Sequence, residues 1–89
     1  MRKKHADTLR EIFQKPVPSS IKWSDIESLF ISMDAQVKEG RGSRVRVFLN
    51  DKVATFHRPH PQKETDKGAV NSVRKFLEDA GITPEELNL

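Results

Sequence analysis

The feature that most constrains the fold is a pair of alternating runs, Arg44–Leu49 and Lys52–His57, separated by Asn50 and Asp51. Asn and Asp tolerate the positive φ angles that a two-residue hairpin turn requires. The runs themselves alternate apolar and polar residues, which is typical of half-buried strands. The sequence therefore predicts a β-hairpin with these cross-strand pairs: Leu49 with Lys52, Val47 with Ala54, Arg46 with Thr55, and Arg44 with His57.

This register assigns every hairpin side chain to a face, because successive side chains of a strand point to opposite sides. One face carries Val45, Val47, Leu49, Ala54 and Phe56, and we expect it to lie against the core. The other face carries Arg44, Arg46, Phe48, Val53, Thr55 and His57. We expect this second face to be exposed, and its basic side chains suit a phosphate-rich or acidic partner.

Composition limits the class of protein. The 89 residues predict one domain over residues 1–89, with its core at about 20–82. The absence of cysteine excludes a disulfide scaffold, a thiolate nucleophile and a cysteine-based zinc site. No apolar run approaches the roughly 20 residues of a membrane span. The basic N-terminus lacks the apolar segment of a signal peptide, so we expect a cytoplasmic protein.

Positive charge is concentrated in the middle of the chain. Residues 35–63 hold seven of the 16 basic residues and two of the 13 acidic ones, whereas residues 64–89 hold three basic and six acidic residues. Such asymmetry is typical of a contact with nucleic acid or with an acidic protein. A solvated sheet edge kept soluble by its lysines and arginines is the other interpretation.

Helical patterns flank the hairpin. They predict a short helix over 7–14, a helix running from a Ser24–Glu27 capping box to about Met33, and a helix over 68–80 that stops at Gly81. A short strand is expected over 35–39, and Pro59 and Pro61 end the hairpin. The predicted class is α+β. The order is α-β-β-β-α, as in double-stranded-RNA-binding-like folds, with a three-stranded antiparallel sheet, both helices on one face and an extra N-terminal helix.

Three segments of this chain, in this order and at this spacing, resemble the pattern of a known protein family. A helix ends before a short strand, Gly42-Ser43 opens the second strand, and His57-Arg58-Pro59-His60-Pro61 leads to Asp66-Lys67-Gly68 and the last helix. Over roughly residues 24–82 the chain resembles the HicA toxins of bacterial toxin–antitoxin pairs. The resemblance implies a metal-free mRNA interferase, RNA as the target and a HicB-type antitoxin as the partner.

Family members place a histidine after Gly-Ser as the proposed general acid and base, and here Arg44 stands in that place. Arginine stays protonated at physiological pH, so it can hold a phosphate but cannot act as a base. His57 is then the candidate proton carrier, because the register puts it opposite Arg44. The predicted catalytic positions are therefore His57 and, at the family histidine position, Arg44.

The remaining candidates are binding residues. We expect RNA contacts from Lys38, Arg41, Gly42, Ser43, Arg44, Arg46, Phe48 and Arg58. His57 and His60 are separated by a proline and lack a third ligand nearby, so neither a metal nor a cofactor is expected. Two functions stay open from the residues alone: a toxin that binds and cleaves RNA, and a small basic module that binds RNA or an acidic protein without cleaving anything.

Overall fold

Three helices and three strands make up the chain, in the order α1 (Lys3–Ile12), α2 (Trp23–Ser32), β1 (Gln36–Glu39), β2 (Arg44–Leu49), β3 (Lys52–His57) and α3 (Lys67–Asp79). The computed structural model describes all residues from Met1 to Leu89. The strands form one antiparallel sheet in the order β1-β2-β3. The α2-β1-β2-β3-α3 succession, preceded by α1, confirms the predicted α+β class and element order.

The hairpin has the predicted register. Leu49 pairs with Lys52, Val47 with Ala54, Arg46 with Thr55, and Arg44 with His57. Asn50 and Asp51 adopt φ angles of 49° and 64°, the left-handed conformation that the tight turn needs. The Asn50 side-chain amide donates to the Ala80 carbonyl at 2.9 Å, which joins the turn to the end of α3.

The helices cover one face of the sheet, as predicted. Val45, Val47 and Phe56 of that face are buried, together with Leu29 and Phe30 of α2 and Val73, Phe76 and Leu77 of α3. The Phe56 ring lies 5.9 Å from the Trp23 and Phe30 rings and 5.8 Å from the Phe76 ring, measured between centroids. The Phe30 ring stacks on Phe56, the Trp23 ring is tilted to it and the Phe76 ring meets it edge-on, so Phe56 is the centre of the core.

Helix α1 belongs to the same core. Leu9 and Ile12 are fully buried among the residues of α2 and α3. The Arg74 guanidinium of α3 donates to the Ile12 and Gln14 carbonyls, at 2.9 Å each. These two bonds satisfy carbonyls that the end of α1 leaves without helical partners.

The predicted capping box was wrong. Helix α2 begins at Trp23, and Ser24 lies inside it without a capping bond. The start is fixed by a distant segment, because the Trp23 amide donates to the Lys63 carbonyl at 3.0 Å and Lys22 forms a β-bridge with Glu64. Glu27, the expected reciprocal partner, instead accepts from the Trp23 indole at 2.5 Å.

Other boundaries differ slightly from the prediction. Helix α1 starts at Lys3 rather than at residue 7, and β1 starts one residue later than expected. Helix α3 has Asp66 as its N-cap, whose carboxylate accepts from the Ala69 amide at 2.9 Å. Gly81 follows α3 with a φ of 79°, as a helix stop requires. None of the helices combines the length and the hydropathy needed to cross a membrane.

Candidate functional site

The sheet face turned away from the helices is the candidate functional site, and we call it the open face. Paired residues in an antiparallel sheet project from the same side, so the register fixes its members. Eight strand side chains form it: Gln36, Lys38, Arg44, Arg46, Phe48, Val53, Thr55 and His57. Phe48 is half-buried and the other seven residues are exposed. Three of the eight carry a positive charge, and none is a carboxylate.

The cations of the open face are not neutralised within the protein. No carboxylate lies within the 4.0 Å ion-pair distance of Lys38, Arg44 or Arg46, since every ion pair of the chain joins other residues. The Lys38 ammonium instead lies 5.6 Å from the centre of the Phe48 ring. The open face therefore presents three free cations next to the ring of a half-buried aromatic residue.

The loop before β2 adds a fourth free cation at the end of the sheet. Arg41 is exposed and makes no ion pair. Its loop turns tightly, because Gly42 has a φ of 59° and the Gly40 amide donates to the Arg44 carbonyl at 2.9 Å. The Ser43 carbonyl accepts from the Arg58 amide at 2.9 Å, which continues the β2–β3 ladder by one bond. The predicted residues Arg41, Gly42 and Ser43 thus border the open face without being part of it.

Arg58 has a different environment from the other predicted contacts. Its Nε donates to Glu27 at 2.5 Å and its Nη1 donates to Glu39 at 2.7 Å. The Glu27 oxygen that accepts from Arg58 also accepts from the Trp23 indole. Arg58 therefore ties the end of β3 to α2 and to β1. With two carboxylates already bound, it is less available to a phosphate than the four free cations are.

The same contacts shift two ionisation equilibria. The hydrogen bond from Arg58, reinforced by its charge, lowers the pKa of the Glu39 carboxyl below its ordinary value. The hydrogen bonds to Glu39 and then to Glu27 raise the pKa of the Arg58 guanidinium. Both shifts keep the two groups charged, so the contact between β3 and β1 persists across the neutral pH range.

A cleft of about 450 Å³ lies beside the open face, between β3, the segment after it and the start of α3. Thr55 and His57 belong both to the open face and to the lining of this cleft. His60 lines the same cleft, so the fold brings together the two histidines that the sequence placed three residues apart. No group of three or more histidine, aspartate or glutamate side chains has an arrangement that would hold a metal ion.

The predicted site residues fall into three groups. Five of them share the open face: Lys38, Arg44, Arg46, Phe48 and His57. Arg41, Gly42 and Ser43 border that face, and Arg58 is bound to two carboxylates. No local pattern indicates the carboxylates Glu27 and Glu39 that bind Arg58, because these pairs join residues 31 and 19 positions apart. The cleft is equally invisible in the sequence, because it forms only once α3 packs beside β3.

The family comparison matches this architecture. The family model described as the HicA toxin of bacterial toxin–antitoxin matches residues 23–82, from the first residue of α2 to just beyond α3. No curated protein and no solved structure matches the chain significantly. The matched segment contains the whole sheet, both helices that cover it and the segment between β3 and α3. The chain belongs to the HicA toxin family.

Proposed function

We propose that this toxin acts on RNA, which it binds through the open face and cleaves without a metal ion. We further propose that a HicB-type antitoxin neutralises it by covering that face. The family membership supplies the toxin–antitoxin setting. The side chains of the open face support the binding surface, the chemistry and the mode of inhibition.

One observation carries the proposal. The open face holds Lys38, Arg44 and Arg46 with no carboxylate among its eight side chains. Free arginines bind phosphate groups bidentately, and clustered cations gain affinity by releasing the counterions of a nucleic acid. Phe48 adds an aromatic surface on which an unpaired base can stack. A cationic sheet face with one aromatic side chain fits a single-stranded stretch of RNA.

Cleavage needs proton transfer as well as binding. In metal-free cleavage a base takes the proton of the 2′-hydroxyl while an acid protonates the leaving 5′-oxygen. Arg44 cannot do either at neutral pH, because a guanidinium stays protonated. His57 is the one open-face side chain of a type that exchanges protons near neutrality, and it lies opposite Arg44. We therefore assign phosphate binding to Arg44 and proton transfer to His57.

A non-catalytic module that binds RNA or an acidic protein is the second candidate. The observation that favours it is Arg44 itself, which stands where the resemblance implies a histidine. Loss of that imidazole leaves fewer proton carriers, so the ribonuclease activity we expect is slow. The two functions share the open face and differ in whether the bound RNA is cut.

The positive charge of the open face also suits the binding of an antitoxin. An inhibitor that buries the open face must neutralise Lys38, Arg44 and Arg46, because buried charges without partners are costly. An acidic partner surface meets this need, and it also competes directly with RNA. Inhibition and RNA binding are then two uses of one surface.

Expression of the full chain in a bacterium, without its antitoxin, tests the proposed function. We expect growth arrest together with loss of intact mRNA, and an Arg44→Glu/Arg46→Glu variant should be harmless at the same protein level. In vitro, the purified wild type should bind RNA at low salt. Normal growth with no RNA binding would overturn the proposal, whereas RNA binding without cleavage would favour the non-catalytic module.

A further inference from the structure

We infer that the cleft beside β3 is the cleavage site of this toxin, with His60 as the acid that protonates the leaving group. The substrate class is an RNA phosphodiester with a free 2′-hydroxyl. This inference rests on the proposed function, because it needs RNA to be bound on the open face. It goes further by naming the second proton carrier and the place where the reaction occurs.

Two histidines lining one cleft are the first argument. His57 and His60 both line the 450 Å³ space at the outer edge of β3, and both are exposed. Imidazole is the side chain best suited to give and take protons near neutral pH. His5, the third histidine of the chain, lies in α1 and does not line the cleft.

The position of the cleft relative to the cations is the second argument. Arg44 and His57 are cross-strand partners on the open face, and His57 also lines the cleft. A phosphate held by Arg44 therefore lies at the border between the open face and the cleft. The RNA on one side of that phosphate rests on the free cations, and the leaving strand enters the cleft toward His60.

The floor of the cleft suits an anionic backbone. Thr65 and Gly68 both line it, next to the start of α3. The Thr65 hydroxyl is buried and has no hydrogen-bond partner, although only 1% of this residue is exposed. The Gly68 amide has no acceptor within the protein, because Asp66 caps the Ala69 amide instead. The Gly68 amide can donate to a phosphate oxygen at the cleft surface, and helix N-termini favour negative charge, whereas the Thr65 hydroxyl lies below that surface.

The reaction balances without any further reagent. Neutral His57 takes the proton of the 2′-hydroxyl as the 2′-oxygen bonds to phosphorus. The bond between phosphorus and the 5′-oxygen breaks, and protonated His60 gives its proton to that oxygen. The products are a 2′,3′-cyclic phosphate and a 5′-hydroxyl end, and water then restores the two imidazoles to their starting protonation states.

A change of leaving group tests the role of His60. The wild type, His57→Gln and His60→Gln are compared under single turnover, with EDTA present, on an RNA oligonucleotide and on the same RNA with a 5′-bridging sulfur at one linkage. A thiolate leaves without being protonated, so it does not need an acid. His5→Gln serves as the control, and RNA affinity is measured for every variant.

We expect His60→Gln to slow cleavage of ordinary RNA at least about 100-fold while RNA affinity stays within about twofold. On the sulfur-bridged linkage His60→Gln should approach the wild-type rate, whereas His57→Gln should remain slow on both substrates.

Full activity of His60→Gln on ordinary RNA would overturn the inference, and so would its failure to recover on the sulfur-bridged linkage. A wild type that binds RNA without cutting it would also overturn the inference, while the binding part of the proposed function would stand. A wild type that binds no RNA would overturn both.

Discussion

Arg44 lies directly opposite His57 in the antiparallel pairing of β2 and β3, and both side chains project from the open face. Cross-strand neighbours of this kind lie about 4.5–5.5 Å apart at their β-carbons. A single phosphate can therefore touch both side chains. This pairing is where phosphate binding and proton transfer meet in the proposed mechanism, and it allows the two roles to be separated by mutation.

Arg44→Gln should mainly weaken RNA binding, and His57→Gln should mainly slow RNA cleavage. Arg44→Gln removes a phosphate contact, so it should raise the Kd for RNA about 5- to 20-fold. His57→Gln removes the proposed base, so it should leave Kd nearly unchanged and lower the single-turnover rate at saturating RNA at least about 100-fold. Binding titrations and single-turnover kinetics distinguish the two. Equal effects of both variants on Kd and rate would contradict the division of roles.

Arg44→His should return an imidazole to the position where the resemblance implies one. We expect the cleavage rate at saturating RNA to rise at least about tenfold, because the open face then has a second proton carrier beside Arg46. RNA binding should weaken, since one permanent charge is lost. Arg44→Gln is the matched control for the lost charge. No gain in rate over Arg44→Gln would mean that this position only binds phosphate.

The contact between Arg58 and Glu27 should stabilise the fold rather than bind RNA. Arg58→Met leaves the Glu27 carboxylate, whose side chain is 20% exposed, without its cationic partner. We expect a loss of about 1–2 kcal/mol in the free energy of unfolding, equivalent to a Tm lowered by roughly 5–10 °C. Lys3→Met, which breaks an exposed pair with Asp7, should cost less than about 0.5 kcal/mol. Thermal unfolding of both variants checks this, and equal Tm values would contradict it.

Glu39 should make stability depend on pH in a defined direction. Its pKa is lower in the folded protein than the ordinary value of 4.5, because Arg58 binds the ionised form. The stabilisation is therefore fully present above about pH 4.5 and is lost as the pH falls through the lowered pKa of the folded state. Wild type should have a higher Tm than Glu39→Gln at pH 7, and the difference should close below pH 4.5. The control variant Glu11→Gln removes an unpaired surface carboxylate. Its Tm should not differ from that of the wild type in this pH-dependent way.

Local signals in the sequence were sufficient to predict the hairpin and both of its faces. Asn50 with Asp51 fixed the turn and hence the register, and the register fixed the face of each residue because successive side chains of a strand point to opposite sides. The order of elements followed from the flanking helical patterns. These features depend on neighbours a few residues apart, so they are readable without knowledge of the fold.

The missed features all depend on distant parts of the chain. Ser24 resembled a helix cap, but the Trp23 amide donates to the Lys63 carbonyl, and α2 has Lys22 as its N-cap, two residues earlier. Arg58 resembled a phosphate contact because it follows the basic hairpin, yet Glu27 and Glu39 reach it from α2 and β1. The cleft that joins His57 to His60 needs α3 beside β3. No local sequence pattern encodes any of these long-range contacts.

The salt dependence of RNA binding tests the central claim, that the open face binds the RNA backbone. The Kd for a short single-stranded RNA is measured at several salt concentrations for the wild type, Arg46→Gln and Lys52→Gln. Lys52 is the matched control, because it is an exposed cation of β3 that pairs with the buried Leu49, away from the open face. Each lost phosphate contact on a single strand should reduce the slope of log affinity against log salt by about 0.7.

We expect wild-type binding to weaken steeply with salt, Arg46→Gln to bind more weakly with a slope shallower by about 0.7, and Lys52→Gln to match the wild type. An affinity that does not change with salt would contradict the account. So would a loss of affinity that is the same for Arg46→Gln and Lys52→Gln, because the contact would then not lie on the open face.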